Sequence, residues 1–263
     1  MLSLYGGTNL KLRRQVLLNC LYKQKIHKGL ISITGAGGKT SLLLYLGHVL
    51  SLKGSVILTT TTHICVKEIP KYINTLVGTM SEIAADLENL ISSEGIACIA
   101  KDIENDKFAG FLPEEIDMLN ENNISDFILV EADGSKKFPI KGYGINEPVI
   151  PKDTTYHVVV VGAEIFFEPL SEKNIFRPSE FFSSANIEKN SLPSSSEIAF
   201  ILESPNIFLK GTPQSPKVKR ILVINKIDLL KDKKHDRVVD ETISKLRKYD
   251  FVWKTSLREL KWT

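Results

Sequence analysis

Apolar residues occur along this chain in short unbroken runs. The runs are rich in Val, Ile and Leu and do not alternate with polar residues; they lie at 30–34, 55–60, 96–100, 126–131, 156–161 and 220–225. Such runs are typical of strands buried on both faces of a parallel sheet. A further run at 251–254 predicts a last strand.

Segments with helical spacing fill most of the intervals between these runs. Apolar residues repeat with that spacing in 40–52, and Gly54 follows where a glycine commonly ends a helix. Helices are also predicted around 10–25, 80–94, 113–122 and 232–248. A strand, helix and strand in succession imply parallel pairing through a right-handed connection. The sequence therefore predicts an α/β protein with a three-layer P-loop NTPase-like fold and a mostly parallel sheet.

Two segments, 135–151 and 171–216, are rich in Pro, Ser and Gly and lack this periodicity. We expect them to form long, loop-rich elaborations over one end of the sheet. Because the sequence shows neither an internal repeat nor an obvious linker, we predict one domain over 1–263. Residues 134–216 hold the elaborations, and our hypothesis is that they form a substrate or partner region.

A glycine-rich segment joins the apolar run at 30–34 to the helix at 40–52. It reads Gly35-Ala36-Gly37-Gly38-Lys39-Thr40-Ser41. Glycines allow a tight turn close to a phosphate group, a lysine neutralises the β and γ oxygens, and the following hydroxyl binds Mg²⁺. The start of the helix adds a positive partial charge. The segment therefore predicts a phosphate loop for GTP or ATP, with Lys39 also serving catalysis.

The spacing of this loop departs from the usual GxxxxGK[ST] pattern, because Ile33 stands where the first glycine belongs. The shorter GxxGKT form resembles the ATP loop of the Mur ligases and folylpolyglutamate synthetases. The alternative is a glycine turn that only connects a strand to a helix.

Two acids end the run at 126–131. Glu131 and Asp133 are two residues apart, so in an extended segment they face the same side. A P-loop enzyme needs an acid at this place to hold Mg²⁺ opposite the loop hydroxyl, here Thr40. Both acids are candidates for the metal site and for catalysis, and Gly134 favours Asp133 because it lets the backbone turn beside the ligand. The alternative is an ordinary Asp-Gly turn.

Four threonines, 59–62, end the neighbouring run. Ligands of open α/β sheets bind at the carboxyl ends of the strands, so these hydroxyls are candidates for contacts with Mg²⁺ or the γ-phosphate. The alternative is that they are simply strand residues.

A candidate for recognising the base follows the run at 220–225. Asn225-Lys226-Ile227-Asp228 resembles the NKxD element of GTPases. An Asp carboxylate accepts hydrogen bonds from N1–H and the exocyclic amine of guanine, and the lysine stem covers the base. Ser256 lies beyond a later strand, where GTPases place a second base-contacting loop. The alternative is a turn in which Asp228 caps the next helix.

Composition excludes several other classes of protein. The chain has 263 residues, a net charge of +3 and interleaved charges, which does not suggest a nucleic-acid partner. Its three cysteines form no CxxC pair, so neither a disulfide framework nor structural zinc is expected. No basic segment leads into an apolar one at the start, and no apolar stretch has membrane length. We expect a cytoplasmic protein without a membrane partner.

The order and spacing of these blocks together resemble one family. They are ITGAGGKTSLL at 33–43, LTTTTHI at 58–64, GFLPEEID at 110–117, VEADGSKKFPIK at 130–141, NEPVIP at 146–151 and VINKID at 223–228. The chain resembles the selenium-dependent hydroxylase accessory proteins of the YqeC type. That resemblance implies a P-loop NTPase that serves maturation of a selenium-dependent molybdenum hydroxylase, with that enzyme or its cofactor-maturation machinery as partner.

We therefore expect Mg²⁺ as cofactor and GTP, ahead of ATP, as substrate. Two other functions stay open: an ATP-dependent ligase or kinase acting on a small acid, and a nucleotide-gated delivery or scaffold protein that does not hydrolyse. Our hypothesis for Lys136, Lys137, Lys141, Glu147 and Arg177 is that they bind a second anionic substrate or a partner protein. The alternative is a solvated, salt-bridged loop.

Overall fold

The computed structural model describes residues 2–3 and 26–257. The helix predicted at 10–25 lies outside the described residues. The strands are β1 (Leu2–Ser3), β2 (Gly29–Gly35), β3 (Val56–Thr60), β4 (His63–Cys65), β5 (Thr75–Val77), β6 (Ile96–Ala100), β7 (Asp102–Glu104), β8 (Lys107–Ala109), β9 (Phe127–Glu131), β10 (Ile140–Lys141), β11 (Tyr156–Gly162), β12 (Ile175–Phe176), β13 (Lys219–Asn225) and β14 (Phe251–Lys254). The helices are α1 (Lys39–Leu50), α2 (Met80–Glu94), α3 (Pro113–Glu121), α4 (Pro178–Ala185), α5 (Ser195–Leu202) and α6 (Lys233–Lys245).

Among the described residues, a nine-stranded sheet forms the centre of the molecule, in the order β1-β14-β13-β11-β2-β9-β3-β6-β5. All its pairings are parallel. The strand that carries the glycine loop, β2, lies between β11 and β9. The carboxyl ends of the central strands therefore meet at one edge of the sheet, around the start of α1.

Both faces of the sheet are covered, because alternate side chains of each strand point to opposite sides. Ile31 and Ile33 pack against α1 on one side, whereas Leu30, directly before Ile31, packs with α2 and α3 on the other. Further along the second side, Val159 and Val161 pack with α4, α5 and α6. The predicted α/β fold, with a mostly parallel sheet between two helical layers, is confirmed.

The region predicted to be loop-rich contains two helices that the sequence reasoning did not predict. In α5, Ser194 accepts a hydrogen bond from the Glu197 N–H and Glu197 reaches back, which forms a capping box. In α4, Phe181 is buried against the second face of the sheet. The elaborations are therefore partly helical.

Two smaller sheets accompany the central one in the described part of the chain. β10 pairs with β12 in parallel, and β4, β8 and β7 form an antiparallel sheet. No helix in the described ranges combines the length and the apolar character needed to cross a bilayer.

Candidate functional site

The glycine loop between β2 and α1 has a backbone that only glycine adopts without strain. Gly35, Gly37 and Gly38 have φ of 96°, 89° and 127°. A Cβ at Gly35 would stand 2.1 Å from the carbonyl oxygen of Val160, and one at Gly38 would stand 2.4 Å from the side-chain nitrogen Nδ2 of Asn225. The loop is therefore pressed against the ends of β11 and β13.

Three N–H groups of the loop are used to fix its shape. Those of Gly35, Ala36 and Gly37 donate at 2.9 Å to Asp133 Oδ2, the Val160 carbonyl and the Phe138 carbonyl respectively. The first N–H groups of a helix have no intrahelical acceptor, and α1 has neither a side-chain cap nor an acid in its first turn. The start of α1, with Lys39, Thr40 and the exposed Ser41, is therefore the part of the loop suited to an anion.

Lys39 is buried between the two acids at the end of β9. Its Nζ lies 3.2 Å from Asp133 Oδ1 and 3.6 Å from Glu131 Oε1. It also donates hydrogen bonds of 3.0 Å to the Gly35 carbonyl and to Ser135 Oγ. Burial lowers the pKa of Lys39, but attraction to Asp133 and Glu131 outweighs it and raises the pKa above its ordinary value. The ammonium group thus stays charged inside the protein.

The two acids occupy different environments. Thr40 Oγ1 donates to Glu131 Oε2 at 2.8 Å, so Glu131 is the acid beside the loop hydroxyl. Burial raises the pKa of Glu131, and the charge of Lys39 opposes that rise. Asp133 is fully buried and accepts from the Gly35 N–H while it pairs with Lys39 and Lys141. Glu131, and not Asp133, is therefore the acid that contacts the loop hydroxyl, whereas the sequence analysis favoured Asp133 for the place opposite Thr40.

The described residues contain no group of three or more His, Cys, Asp or Glu side chains placed to hold a metal. A cation beside Thr40 and Glu131 would take its remaining ligands from phosphate oxygens and water, as Mg²⁺ ordinarily does in nucleotide sites. The oxygen donors present fit such an ion.

Ion pairs continue from Lys39 away from the loop in an alternating series that we call the charge chain. Lys141 Nζ lies 3.1 Å from both Asp133 and Glu147, and Arg177 lies 3.3 Å from Glu147. The members in order are Glu131, Lys39, Asp133, Lys141, Glu147 and Arg177. Lys141 is fully buried, with its Nζ 4.4 Å from the centre of the Tyr143 ring.

The charge chain changes the interpretation of the five charged residues that the sequence analysis proposed for a second substrate or a partner. Lys141, Glu147 and Arg177 pair with one another instead of forming an open anion site. Lys136 and Lys137 are exposed, and Lys137 lies 3.3 Å from Glu68.

The threonines at the end of β3 hold the backbone together. The hydroxyls of Thr59, Thr60 and Thr61 donate to the carbonyl oxygens of Ile99, Glu131 and Val149 at 3.0, 2.7 and 2.7 Å. These three side chains therefore join neighbouring segments, which matches the structural alternative.

The candidate base-recognition element lies against the glycine loop. Asn225, at the end of β13, donates to the Gly37 carbonyl at 2.7 Å. Its side-chain oxygen accepts from Thr255 Oγ1 at 3.0 Å and from the Leu257 N–H at 3.1 Å. Asn225 thus joins the glycine loop to the segment after β14. Ser256, in that segment, donates to Asp228 at 2.5 Å. The structure brings the two predicted base-contacting segments together.

One acid at this edge was not found by sequence reasoning. Glu164 lies just beyond β11, is 7% exposed, and accepts from Lys226 Nζ at 2.5 Å. A signal was present in the sequence, because Glu164 follows a buried strand two residues after its last residue, as Asp133 follows β9. Ser135, an acceptor for Lys39, was likewise not singled out.

Comparison with known proteins adds two similarities. A family model described as YqeC protein matches residues 31–179, which include the glycine loop and the charge chain but end before Asn225. The Escherichia coli (strain K12) protein described as "Uncharacterized protein YqeC" is 32% identical over 197 residues, which cover 74% of this chain and 75% of that protein.

Proposed function

The chain belongs to the YqeC family, and on that premise we propose that it is a Mg²⁺-dependent protein that binds and hydrolyses a nucleotide, GTP ahead of ATP. We further propose that it acts in the cytoplasm as an accessory protein for maturation of a selenium-dependent molybdenum hydroxylase. The nucleotide part rests on the site described above. The choice of target rests on the family resemblance alone.

The contact between Thr40 and Glu131 carries the nucleotide proposal. The hydroxyl that follows the loop lysine and the acid on the adjacent strand are 2.8 Å apart, directly at the positive end of α1. A site for a metal-bound polyphosphate needs these parts together: a helix end for the anion, a cation, a hydroxyl and an acid. Bound Mg²⁺ would be held by Thr40 and Glu131, and it would neutralise charge on the phosphate oxygens.

Within this proposal, Lys39, Asp133 and Asp228 have separate roles. Lys39 would exchange its contacts with Glu131 and Asp133 for the β and γ oxygens and stabilise charge that develops during phosphoryl transfer. Asp133 would keep the loop in shape through the Gly35 N–H. Asp228, held by Ser256, would accept hydrogen bonds from guanine, whereas adenine has no N1–H to donate to this half-buried carboxylate.

A calorimetric titration of the purified protein tests the proposal. Non-hydrolysable GTP and ATP analogues with Mg²⁺ would be titrated into wild type, Lys39→Ala and Lys219→Ala. Lys219 starts β13, at the opposite edge of the sheet, and also pairs with an acid, Asp250 at 2.9 Å. We expect GTP-selective binding that K39A abolishes and K219A leaves unchanged.

Other results of this titration would favour other functions. ATP-selective binding would favour a ligase or kinase that acts on a small acid, in line with the short GxxGKT loop. Tight binding without turnover, measured as phosphate release, would favour a nucleotide-gated scaffold. If wild type binds neither analogue, the nucleotide proposal is refuted.

A further inference from the structure

Within the described part of the chain, Lys226 forms an ion pair with one acid, Glu164. It has φ of 64°, in the left-handed region, directly after β13. Its Nζ donates to Glu164 Oε1 at 2.5 Å, and the two side chains are 15% and 10% exposed. A lysine side chain ordinarily samples many rotamers. Here the contact with Glu164 holds the terminal nitrogen, which limits the rotamers open to the four-carbon stem.

Strand register brings Glu164 to Lys226. β11 and β13 pair so that Gly162 is opposite Asn225. Glu164 comes two residues after Gly162, and Lys226 comes one residue after Asn225, so the two side chains lie at the same end of the neighbouring strands. Gly162 leaves space for the carboxylate, because a Cβ at this position would stand 2.3 Å from Glu164 Oε2. In the described structure, that second oxygen is buried and lacks a hydrogen-bond partner. Within the described residues, the hydrogen bond of this carboxylate is thus the one to Lys226, through its other oxygen, Oε1.

The pair stands between the two parts of the proposed nucleotide site. The nitrogen of Gly162 would be 2.5 Å from a Cβ on Gly37, so the end of β11 touches the glycine loop. On the other side, Asp228 follows Lys226 after one residue, within the same short turn. Glu164 therefore connects the strand that supports the phosphate loop to the turn that carries the base acceptor.

We propose that Glu164 is a positioning residue for the nucleoside: it holds the Lys226 stem where it covers the base and keeps the turn with Asp228 oriented. This inference rests on the proposed nucleotide binding and extends it. Glu164 lies apart from the ion pairs of Lys39, so it contributes to the base and not to the phosphates.

Two ligands separate this role from a general structural one. The first is a non-hydrolysable GTP analogue with Mg²⁺, and the second is inorganic tripolyphosphate with Mg²⁺, which has no base. We expect Glu164→Ala to raise the Kd of the GTP analogue about tenfold and to leave the Kd of tripolyphosphate within twofold. Glu164→Gln keeps an oxygen that accepts from Lys226, and we expect it to restore most of the affinity.

A double-mutant cycle with Lys226→Ala completes the test. Because Glu164 acts through Lys226, K226A should reproduce the loss, and the double variant should be no weaker than either single one. Equal weakening of both ligands by E164A, additive losses in the double variant, or unchanged affinity for the GTP analogue would overturn the inference. If E164A does not fold, K226A supplies the variant that loses the contact and E164Q the control that keeps it, measured with the same two ligands. Failure of wild type to bind the GTP analogue would instead refute the proposed function.

Discussion

Asn225 gives the sharpest test of how the site is assembled. Replacement by Ala removes three hydrogen bonds: one to the Gly37 carbonyl, one from Thr255 Oγ1 and one from the Leu257 N–H. All three partner residues are buried. A buried hydrogen bond contributes about 1 kcal/mol, and a buried group left without its partner costs about 1–3 kcal/mol. We therefore expect Asn225→Ala to lower the free energy of unfolding by about 3–5 kcal/mol.

Urea unfolding followed by circular dichroism measures this change, with Asn146→Ala as the control because Asn146 is exposed. Asn225→Asp separates the bonds further. It keeps the acceptor for Thr255 and Leu257 but places a buried carboxylate oxygen against the Gly37 carbonyl, so we expect it to lower both the free energy of unfolding and the affinity for nucleotide. A loss of under about 1 kcal/mol in N225A would refute the reasoning, because it would mean that Asn225 does not join these segments.

Further predictions concern the loop, a buried histidine and the thiols. Gly35→Ala should cost more than about 2 kcal/mol of stability, whereas Gly95→Ala, whose Cβ meets no atom within 4 Å, should cost about 1 kcal/mol; equal costs in thermal unfolding would contradict the steric argument. Burial lowers the pKa of His157 from 6.5 to about 4. Because only the unfolded chain binds this proton between those values, stability should rise with pH across the window, by roughly 2–3 kcal/mol relative to His157→Gln; parallel pH profiles from urea titrations would exclude it. Burial raises the pKa of Cys98 to about 12, so iodoacetamide should modify Cys65 in the native protein and Cys98 only after unfolding; peptide mass mapping that finds native Cys98 modified would contradict this.

The central layer of the fold could be predicted because its strands are buried on both sides. The four valines at 158–161 leave no polar position that would indicate another structure, and glycine and helical spacing mark where α1 begins. The strand at the edge of this layer and the separate antiparallel sheet were harder to predict from the sequence. β5 has three residues and no buried run, and the antiparallel sheet of β4, β7 and β8 has strands of three residues each. Such strands form through tertiary pairing, which local sequence hardly specifies.

The candidate site could be predicted in its parts but not in its connections. The spacing of Glu131 and Asp133 made both acids candidates, with Asp133 favoured, yet the Gly35 N–H and Lys141 occupy Asp133. Lys141 is separated from Asp133 by seven residues of a loop-like sequence, so its burial follows only from the three-dimensional path of the chain. The same holds for Glu164, whose partner Lys226 lies in the turn after β13, 62 residues later in the sequence.

The charge chain also limits how this protein can change over evolution. Each interior member compensates two neighbours, so the loss of one charge leaves uncompensated charges in a buried region. Removal of two adjacent opposite charges, such as Lys141 and Glu147, leaves fewer of them uncompensated than removal of Lys141 alone. Substitutions in the charge chain should therefore occur as linked pairs. The order in which the two substitutions appear should determine whether the intermediate protein, with only one of them, is stable enough to fold.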